Sequence, residues 1–126
     1  MIAVDGLLWF SSIWLCFYNF AAGKKLGAGC YFSTTAGFAS QEKYCPTNSN
    51  GERVMILVRV ITGRFCQGKK SFKSPPTTKD ENGCIVKYNS VTDNVENPQM
   101  FCVFEDAAAY PDYVIKFNYL GSTWYP

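Results

Sequence analysis

The chain has 126 residues, a net charge of +2 at neutral pH and an apolar content of 48%. A chain of this length and composition can bury one hydrophobic core, so we expect a single folded domain. The small net charge and the scattered lysines give no electrostatic footprint for nucleic acid. Histidine is absent, which excludes imidazole as a general base, as a metal ligand and as a member of a hydrolase triad.

Six cysteines are spread along the chain without a C-x-x-C pair, so the sequence predicts no metal site. An even number would allow disulfides. However, Cys30 and Cys102 lie among apolar residues, where free thiols behave as small buried hydrophobes. We therefore expect reduced thiols in an intracellular protein of the nucleus or cytoplasm.

The nearly uncharged segment from Gly6 to Ala22 leaves two interpretations open. Its length of about 17 residues is close to the lower limit for crossing a bilayer, which allows a membrane anchor or a signal peptide. The acidic Asp5 in place of a basic flank argues against both. Large apolar residues recur at spacings of three and four, which favours a buried helix instead. They are Trp9, Phe10, Ile13, Trp14 and Phe17.

The rest of the chain is typical of short strands separated by glycine, proline and asparagine. Four strands are predicted, over Tyr31–Phe32, Arg53–Ile61, Met100–Phe104 and Tyr113–Tyr119. A helix is predicted over Thr34–Tyr44, because two threonines can cap its start and Pro46 follows its end. The polar stretch Gly68–Gly83 is predicted to be a long loop, either functional or simply a solvated surface.

The segment Gly27-Ala28-Gly29-Cys30-Tyr31-Phe32-Ser33-Thr34-Thr35-Ala36 resembles the glycine-x-glycine-x-tyrosine-phenylalanine-alanine motif of the PARP family, whose transferase domain cleaves NAD and passes ADP-ribose to an acceptor. Further blocks occur in the family's order, the first of them before this motif and the others after it. They are Ala22-Gly23-Lys24, Arg59-Val60-Ile61-Thr62-Gly63, Gly68-Lys69, Pro75-Pro76, Ser90-Val91-Thr92-Asp93-Asn94-Val95, Asn97-Pro98 and Ala109-Tyr110-Pro111-Asp112-Tyr113. The resemblance is closest to the mono-ADP-ribosylating branch.

This resemblance covers residues 17–119, which leaves an atypical apolar segment, 1–16, and a C-terminal tail, 120–126. It implies an α+β fold of the PARP and diphtheria-toxin-like ADP-ribosyltransferases, with two small, mostly antiparallel sheets and a short helix. The fold is expected to be incomplete at the N-terminus. An incomplete domain would expose apolar surface, so we expect the segment from Gly6 to Phe17 to cover it.

The resemblance also implies an NAD site in a cleft between Tyr31, Tyr44 and Met100. Small residues around Gly29 would let the backbone approach NAD closely. Tyr31 would be the triad tyrosine, with a ring that can stack on the cationic pyridinium, and Tyr44 would be the second stacking ring. The implied contacts include Phe32 and the apolar wall at Phe38. NAD, as substrate, and a protein acceptor are the implied partners, without metal or nucleic acid, and a membrane is not expected.

Three positions depart from the family pattern. The histidine-glycine-threonine motif is expected about thirty residues before Tyr31, where this chain begins with an apolar sequence; its loss would weaken NAD binding about a hundredfold. Ala39 stands where a serine binds the nicotinamide amide, and the neighbouring Ser40 is turned away by about 100° on a helix. Met100 stands in place of the glutamate of polymer-forming members, so at most one ADP-ribose would be transferred.

Three functional hypotheses therefore remain open. The first is a mono-ADP-ribosyltransferase, a glycosyltransferase-class enzyme, of which this chain is an incomplete or alternatively started version and whose complete gene product carries the histidine upstream. The activity of the chain as written is expected to be weak or absent. The second is a catalytically inactive interaction module with the same fold, which Ala39 favours. The third, a small membrane-anchored protein, depends only on the segment from Gly6 to Ala22.

Overall fold

A computed structural model describes residues 2–4, 8–16, 25–42 and 44–118. These residues form mostly strands, with one short helix, which confirms the predicted α+β class. The elements are β1 (Ile2–Val4), β2 (Leu8–Cys16), β3 (Cys30–Ser33), α1 (Ala36–Ala39), β4 (Arg53–Ile61), β5 (Phe65–Gln67), β6 (Thr77–Lys79), β7 (Ile85–Lys87), β8 (Ser90–Thr92), β9 (Met100–Val103), a 3-10 turn (Asp106–Ala108) and β10 (Ala109–Phe117).

The main sheet has the strand order β10-β4-β2-β3-β9-β8-β5, and β1 pairs with β2. Its described pairings are antiparallel except for the parallel pair β5 and β8. Strands β6 and β7 form a separate hairpin. The strand with the glycine-tyrosine motif, β3, therefore lies beside β9, near the middle of the main sheet.

Two buried clusters hold the sheet together. The core cluster consists of Phe32, Ile56, Val58, Val60, Phe101 and Val103. The tyrosine cluster consists of Leu26, Tyr31, Val91 and Cys102, with Cys66, Phe72, Met100 and Phe104 packed against it. Successive residues of a strand point to opposite faces, so Tyr31 and Phe32 contribute to different clusters.

Strand β4 has the bounds that the sequence predicts. Its run of β-branched and aliphatic residues suits a strand buried between two neighbours, here β10 and β2. Strand β9 ends at Val103, one residue before its predicted end. Strand β10 begins at Ala109, four residues before its predicted start, and the predicted end at Tyr119 lies outside the described residues. The predicted loop over Gly68–Gly83 contains β6.

The helix predicted for the N-terminal segment is wrong where the structure describes it, because Leu8–Cys16 forms strand β2. This strand pairs with β4 from Phe10 to Cys16 and reaches β3 at Trp14. Aromatic and β-branched residues suit a strand, and the backbone groups of β3 and β4 need a hydrogen-bonding partner between them. Leu8–Cys16 thus joins the main sheet as a strand. Residues 17–24 lie outside the described residues.

Helix α1 is much shorter than predicted, spanning Ala36–Ala39. Its start is as expected, because the Thr35 hydroxyl accepts a hydrogen bond from the Phe38 N–H at 3.2 Å. Gly37 and Ser40 are poor helix formers, and the chain turns after Ala39. The Arg53 guanidinium donates to the Ser40 carbonyl at 2.8 Å, which satisfies one acceptor at the helix end. Within the described part of the chain, no helix is long and apolar enough to cross a bilayer.

Candidate functional site

The glycines of the motif make room for the protein's own atoms. A Cβ on Gly27, whose φ is +126°, would lie 2.7 Å from the Phe72 carbonyl oxygen. A Cβ on Gly29 would lie 2.6 Å from the Cys102 sulfur. The space beside Gly27 and Gly29, which NAD was expected to approach, is therefore occupied by Phe72 and Cys102. The predicted contact between Gly29 and NAD would have to be made by the Gly29 backbone, and it remains a prediction.

Tyr31 is 6% exposed, and its hydroxyl is held by the loop that precedes β3. The hydroxyl donates to the Gly27 carbonyl at 2.5 Å and accepts from the Leu26 N–H at 3.1 Å. Burial raises the pKa of Tyr31, so the phenol stays protonated at neutral pH. The predicted stacking ring thus also fixes the conformation of residues 26–31.

Phe38 and Tyr44 form a stacked aromatic pair, with ring centroids 5.4 Å apart and ring planes inclined by 28°. Phe38 lies on α1, and Tyr44 follows in a turn that its own N–H closes onto the Gln41 carbonyl at 2.9 Å. Both residues are partly exposed. The predicted apolar wall and the predicted second ring therefore form one surface, which is chemically suited to a flat cationic ring.

The end of α1 does not present the expected hydroxyl. Ala39 is 4% exposed and carries an apolar methyl group where the family resemblance predicts a serine. The Ser40 hydroxyl donates to the Gly37 carbonyl at 3.1 Å, within the same turn. Ser40 is therefore engaged locally, and its role as an imperfect substitute stays a prediction.

Met100 begins β9 directly opposite Ser33, and its side chain packs against the tyrosine cluster. The structure thus brings Met100 and Tyr31 together on neighbouring strands. The predicted NAD cleft that also includes Tyr44 stays a prediction. A thioether is a weak acceptor and has no proton to exchange, so Met100 cannot act as a general acid or base. Phe32, by contrast, is 2% exposed in the core cluster, which leaves little surface for its predicted NAD contact.

Asp93, whose role the sequence reasoning missed, positions the start of β9. Its Oδ1 accepts from the backbone N–H groups of Gln99 and Met100, each at 3.0 Å. The Thr92 hydroxyl donates to the Met100 carbonyl at 2.7 Å. Aspartate and threonine often bond nearby backbone groups in turns, so the Thr92-Asp93-Asn94 block carried a signal for this turn.

Metal ligands do not cluster in the described part of the chain, where no three Cys, Asp or Glu residues lie close enough to hold an ion. Among the described cysteines, Cys45, Cys66, Cys84 and Cys102 are free thiols. Burial raises the pKa of Cys102 to about 11, so this thiol is not a nucleophile at neutral pH. The site therefore consists of aromatic, apolar and backbone groups.

The overall fold is that of a PARP domain. The crystal structure of the PARP domain of Arabidopsis RADICAL-INDUCED CELL DEATH1 superposes with a TM-score of 0.64 at 22% identity, covering 86% of this chain and 67% of that chain. Residues 17–119 match the model of the poly(ADP-ribose) polymerase catalytic domain. The chain belongs to this family, as the glycine-tyrosine motif indicates.

Curated relatives place the chain nearer to one branch of the family. It is 37% identical over 100 residues to human protein mono-ADP-ribosyltransferase PARP14, covering 77% of this chain and 6% of the relative. It is 31% identical over 93 residues to mouse protein mono-ADP-ribosyltransferase PARP10, covering 74% of this chain and 10% of the relative. The chain therefore spans a tenth or less of the length of these two proteins.

Proposed function

We propose that this domain binds NAD against the stacked rings of Phe38 and Tyr44 and transfers a single ADP-ribose to a protein. The bond between the nicotinamide nitrogen and the ribose carbon breaks, and its electron pair leaves with nicotinamide. A nucleophilic group of the acceptor forms the new bond to the same carbon, and any proton on that group passes to solvent.

The observation that carries this proposal is the placement of Met100 beside Tyr31, at the start of β9. A carboxylate at this place would orient a ribose hydroxyl for chain elongation, which a thioether cannot do. Transfer would then stop after one ADP-ribose. Because Met100 cannot accept a proton, the acceptor has to supply its own reactive group, such as a carboxylate.

A second candidate is an NAD-binding or interaction module without turnover. Ala39 favours it, because its buried methyl group offers the nicotinamide amide no hydrogen bond. A missing neutral hydrogen bond to a ligand costs about 0.5–1.5 kcal/mol, so this loss weakens binding without abolishing it.

Calorimetric titration with a non-hydrolysable NAD analogue tests the common first step. Tyr44→Ala removes a partly exposed ring of the stack, and we expect it to weaken binding about tenfold. Tyr113→Ala, on the exposed strand β10, is the matched control and should bind like the wild type. Wild-type protein that shows no saturable binding at millimolar analogue would overturn the proposal.

A transfer assay then separates the two candidates. Wild-type protein is incubated with labelled NAD and a mixture of acceptor proteins, and the label on the acceptors is compared with nicotinamide release. Acceptor proteins that carry one labelled ADP-ribose per modified site support the transferase. Binding of the analogue without label or nicotinamide release supports the inactive module.

A further inference from the structure

Positive charge is concentrated in the middle of the sequence. Between Glu52 and Asp80 the chain contains seven cationic residues and no acidic residue. They are Arg53, Arg59, Arg64, Lys69, Lys70, Lys73 and Lys79. Three of the lysines lie together in the loop that follows β5, so the small net charge of the chain conceals a local excess.

The fold brings this loop against the residues that precede β3. The Ala28 N–H donates to the Phe72 carbonyl at 2.8 Å, within the lysine-containing loop. A Cβ on Gly68 would lie 2.7 Å from the Leu26 Cβ, so the two backbones are in close contact there. Lys25, next to Leu26, therefore joins the lysines next to Gly68. We call Lys25, Lys69, Lys70 and Lys73 the lysine surface.

These four side chains are exposed, and no ion pair is found for them among the described residues. Among the described residues, an ion pair joins Arg59 on β4 to Asp112 on β10, at the far edge of the main sheet. Asp93, which begins the turn before β9, accepts backbone hydrogen bonds instead. Neighbouring like charges that form no ion pair produce a positive potential that attracts an anionic partner.

We propose that the lysine surface binds an acidic segment of the acceptor protein, an inference that rests on the proposed transferase function. The surface adjoins the Gly27–Gly29 loop of the family motif, so a segment bound there lies next to the predicted NAD site. A segment rich in glutamate or aspartate would offer both the complementary charge and the carboxylate nucleophile that Met100 cannot supply.

The composition of the surface favours an acidic peptide over single-stranded nucleic acid. Proteins that bind nucleic acid strands combine a basic groove with aromatic rings on which bases stack. The strongly exposed tyrosines of the described chain, Tyr110 and Tyr113, lie on β10 at the opposite edge of the sheet. Phe72, the ring of the lysine-containing loop, packs against the tyrosine cluster.

Fluorescence anisotropy with a labelled glutamate-rich peptide tests this inference, with a peptide in which every glutamate is glutamine as the ligand control. The variant Lys69→Glu/Lys73→Glu reverses two charges of the surface. The variant Lys79→Glu/Lys87→Glu is matched, because it makes the same charge change at two exposed lysines of the β6–β7 hairpin. Wild-type protein should bind the glutamate peptide more weakly as salt is added.

We expect Lys69→Glu/Lys73→Glu to weaken binding of the glutamate peptide about tenfold or more, and the hairpin variant to weaken it about twofold or less. Equal losses in the two variants would show a non-specific charge effect and overturn the inference. So would equal binding of the glutamine peptide, no binding of either peptide, or tighter binding of an oligonucleotide with the same number of charges.

Titration of the NAD analogue into the same proteins separates this inference from the proposed function. If Lys69→Glu/Lys73→Glu loses the peptide and retains the analogue, the acidic-segment site is distinct from the NAD site. If wild-type protein binds the peptide but never the analogue, the lysine surface stands as an acidic-peptide site and the transferase proposal fails.

Discussion

The Tyr31 hydroxyl donates to the Gly27 carbonyl at 2.5 Å while it accepts from the Leu26 N–H. The motif tyrosine therefore fixes the loop that carries the motif glycines. Because Tyr31 is buried, its hydroxyl exchanges hydrogen bonds with protein and not with water. The glycine and the tyrosine of the motif, which are separate positions in the sequence, thus form one structural unit.

Tyr31→Phe should destabilise the domain by about 1–2 kcal/mol, because the substitution leaves the Leu26 N–H and the Gly27 carbonyl without their partner. Chemical denaturation monitored by circular dichroism measures the change. Tyr113→Phe is the control, since the Tyr113 side chain is 66% exposed and should shift the unfolding free energy by less than about 0.5 kcal/mol. Equal effects of the two variants would contradict the role assigned to the Tyr31 hydroxyl.

Gly63→Ala should destabilise the domain by about 2 kcal/mol or more. The φ of Gly63 is +51°, and an added Cβ would collide with the Asn89 side chain. Asn89 cannot give way freely, because its Oδ1 accepts from the Arg64 N–H at 2.8 Å. Gly83→Ala is the matched control: φ is +77° there and no atom lies within 4 Å of the added Cβ. It should cost only about 1 kcal/mol of strain in thermal or chemical unfolding.

The unfolding free energy should fall as the pH rises from about 9 to about 11. Burial raises the pKa of the Cys102 thiol from 9.0 to about 11, so in this range the unfolded chain releases a proton that the folded chain retains. The stabilisation is complete below pH 9, and the loss approaches about 2 kcal/mol at pH 11. Denaturation of Cys102→Ala across the same pH range should show a shallower slope, and an unchanged slope would contradict the assignment.

The sequence predicts the elements that are determined by local composition. The aliphatic run of β4 and the apolar start of β9 needed no knowledge of their neighbours, because continuous hydrophobicity already favours a buried strand. Strand β2 could not be predicted this way. Its aromatic residues fit helical spacing equally well, and its conformation depends on β3 and β4, which lie far along the chain.

For the candidate site, the family resemblance predicts which residues take part but not how they are arranged. Stacking of Phe38 on Tyr44 depends on how the chain turns after α1, and no local pattern indicates that turn. The role of Asp93 depends on a turn that brings the Met100 N–H within hydrogen-bonding distance of its carboxylate. The lysine surface depends on a contact between loops about forty residues apart in the sequence, Leu26 and Gly68.

Ala39→Ser should increase the affinity for the NAD analogue about tenfold, because it adds a hydroxyl where the family resemblance predicts a contact with the nicotinamide amide. The substitution adds one buried polar atom, so we expect it to cost no more than about 1–2 kcal/mol of stability. Ala36→Ser, at the first position of α1, is the control that adds a hydroxyl without placing it at the amide position. Calorimetry on the three proteins gives the affinities, and denaturation gives the stabilities. Equal affinities in the wild type and Ala39→Ser, with both proteins folded, would show that the nicotinamide ring does not lie against the end of α1.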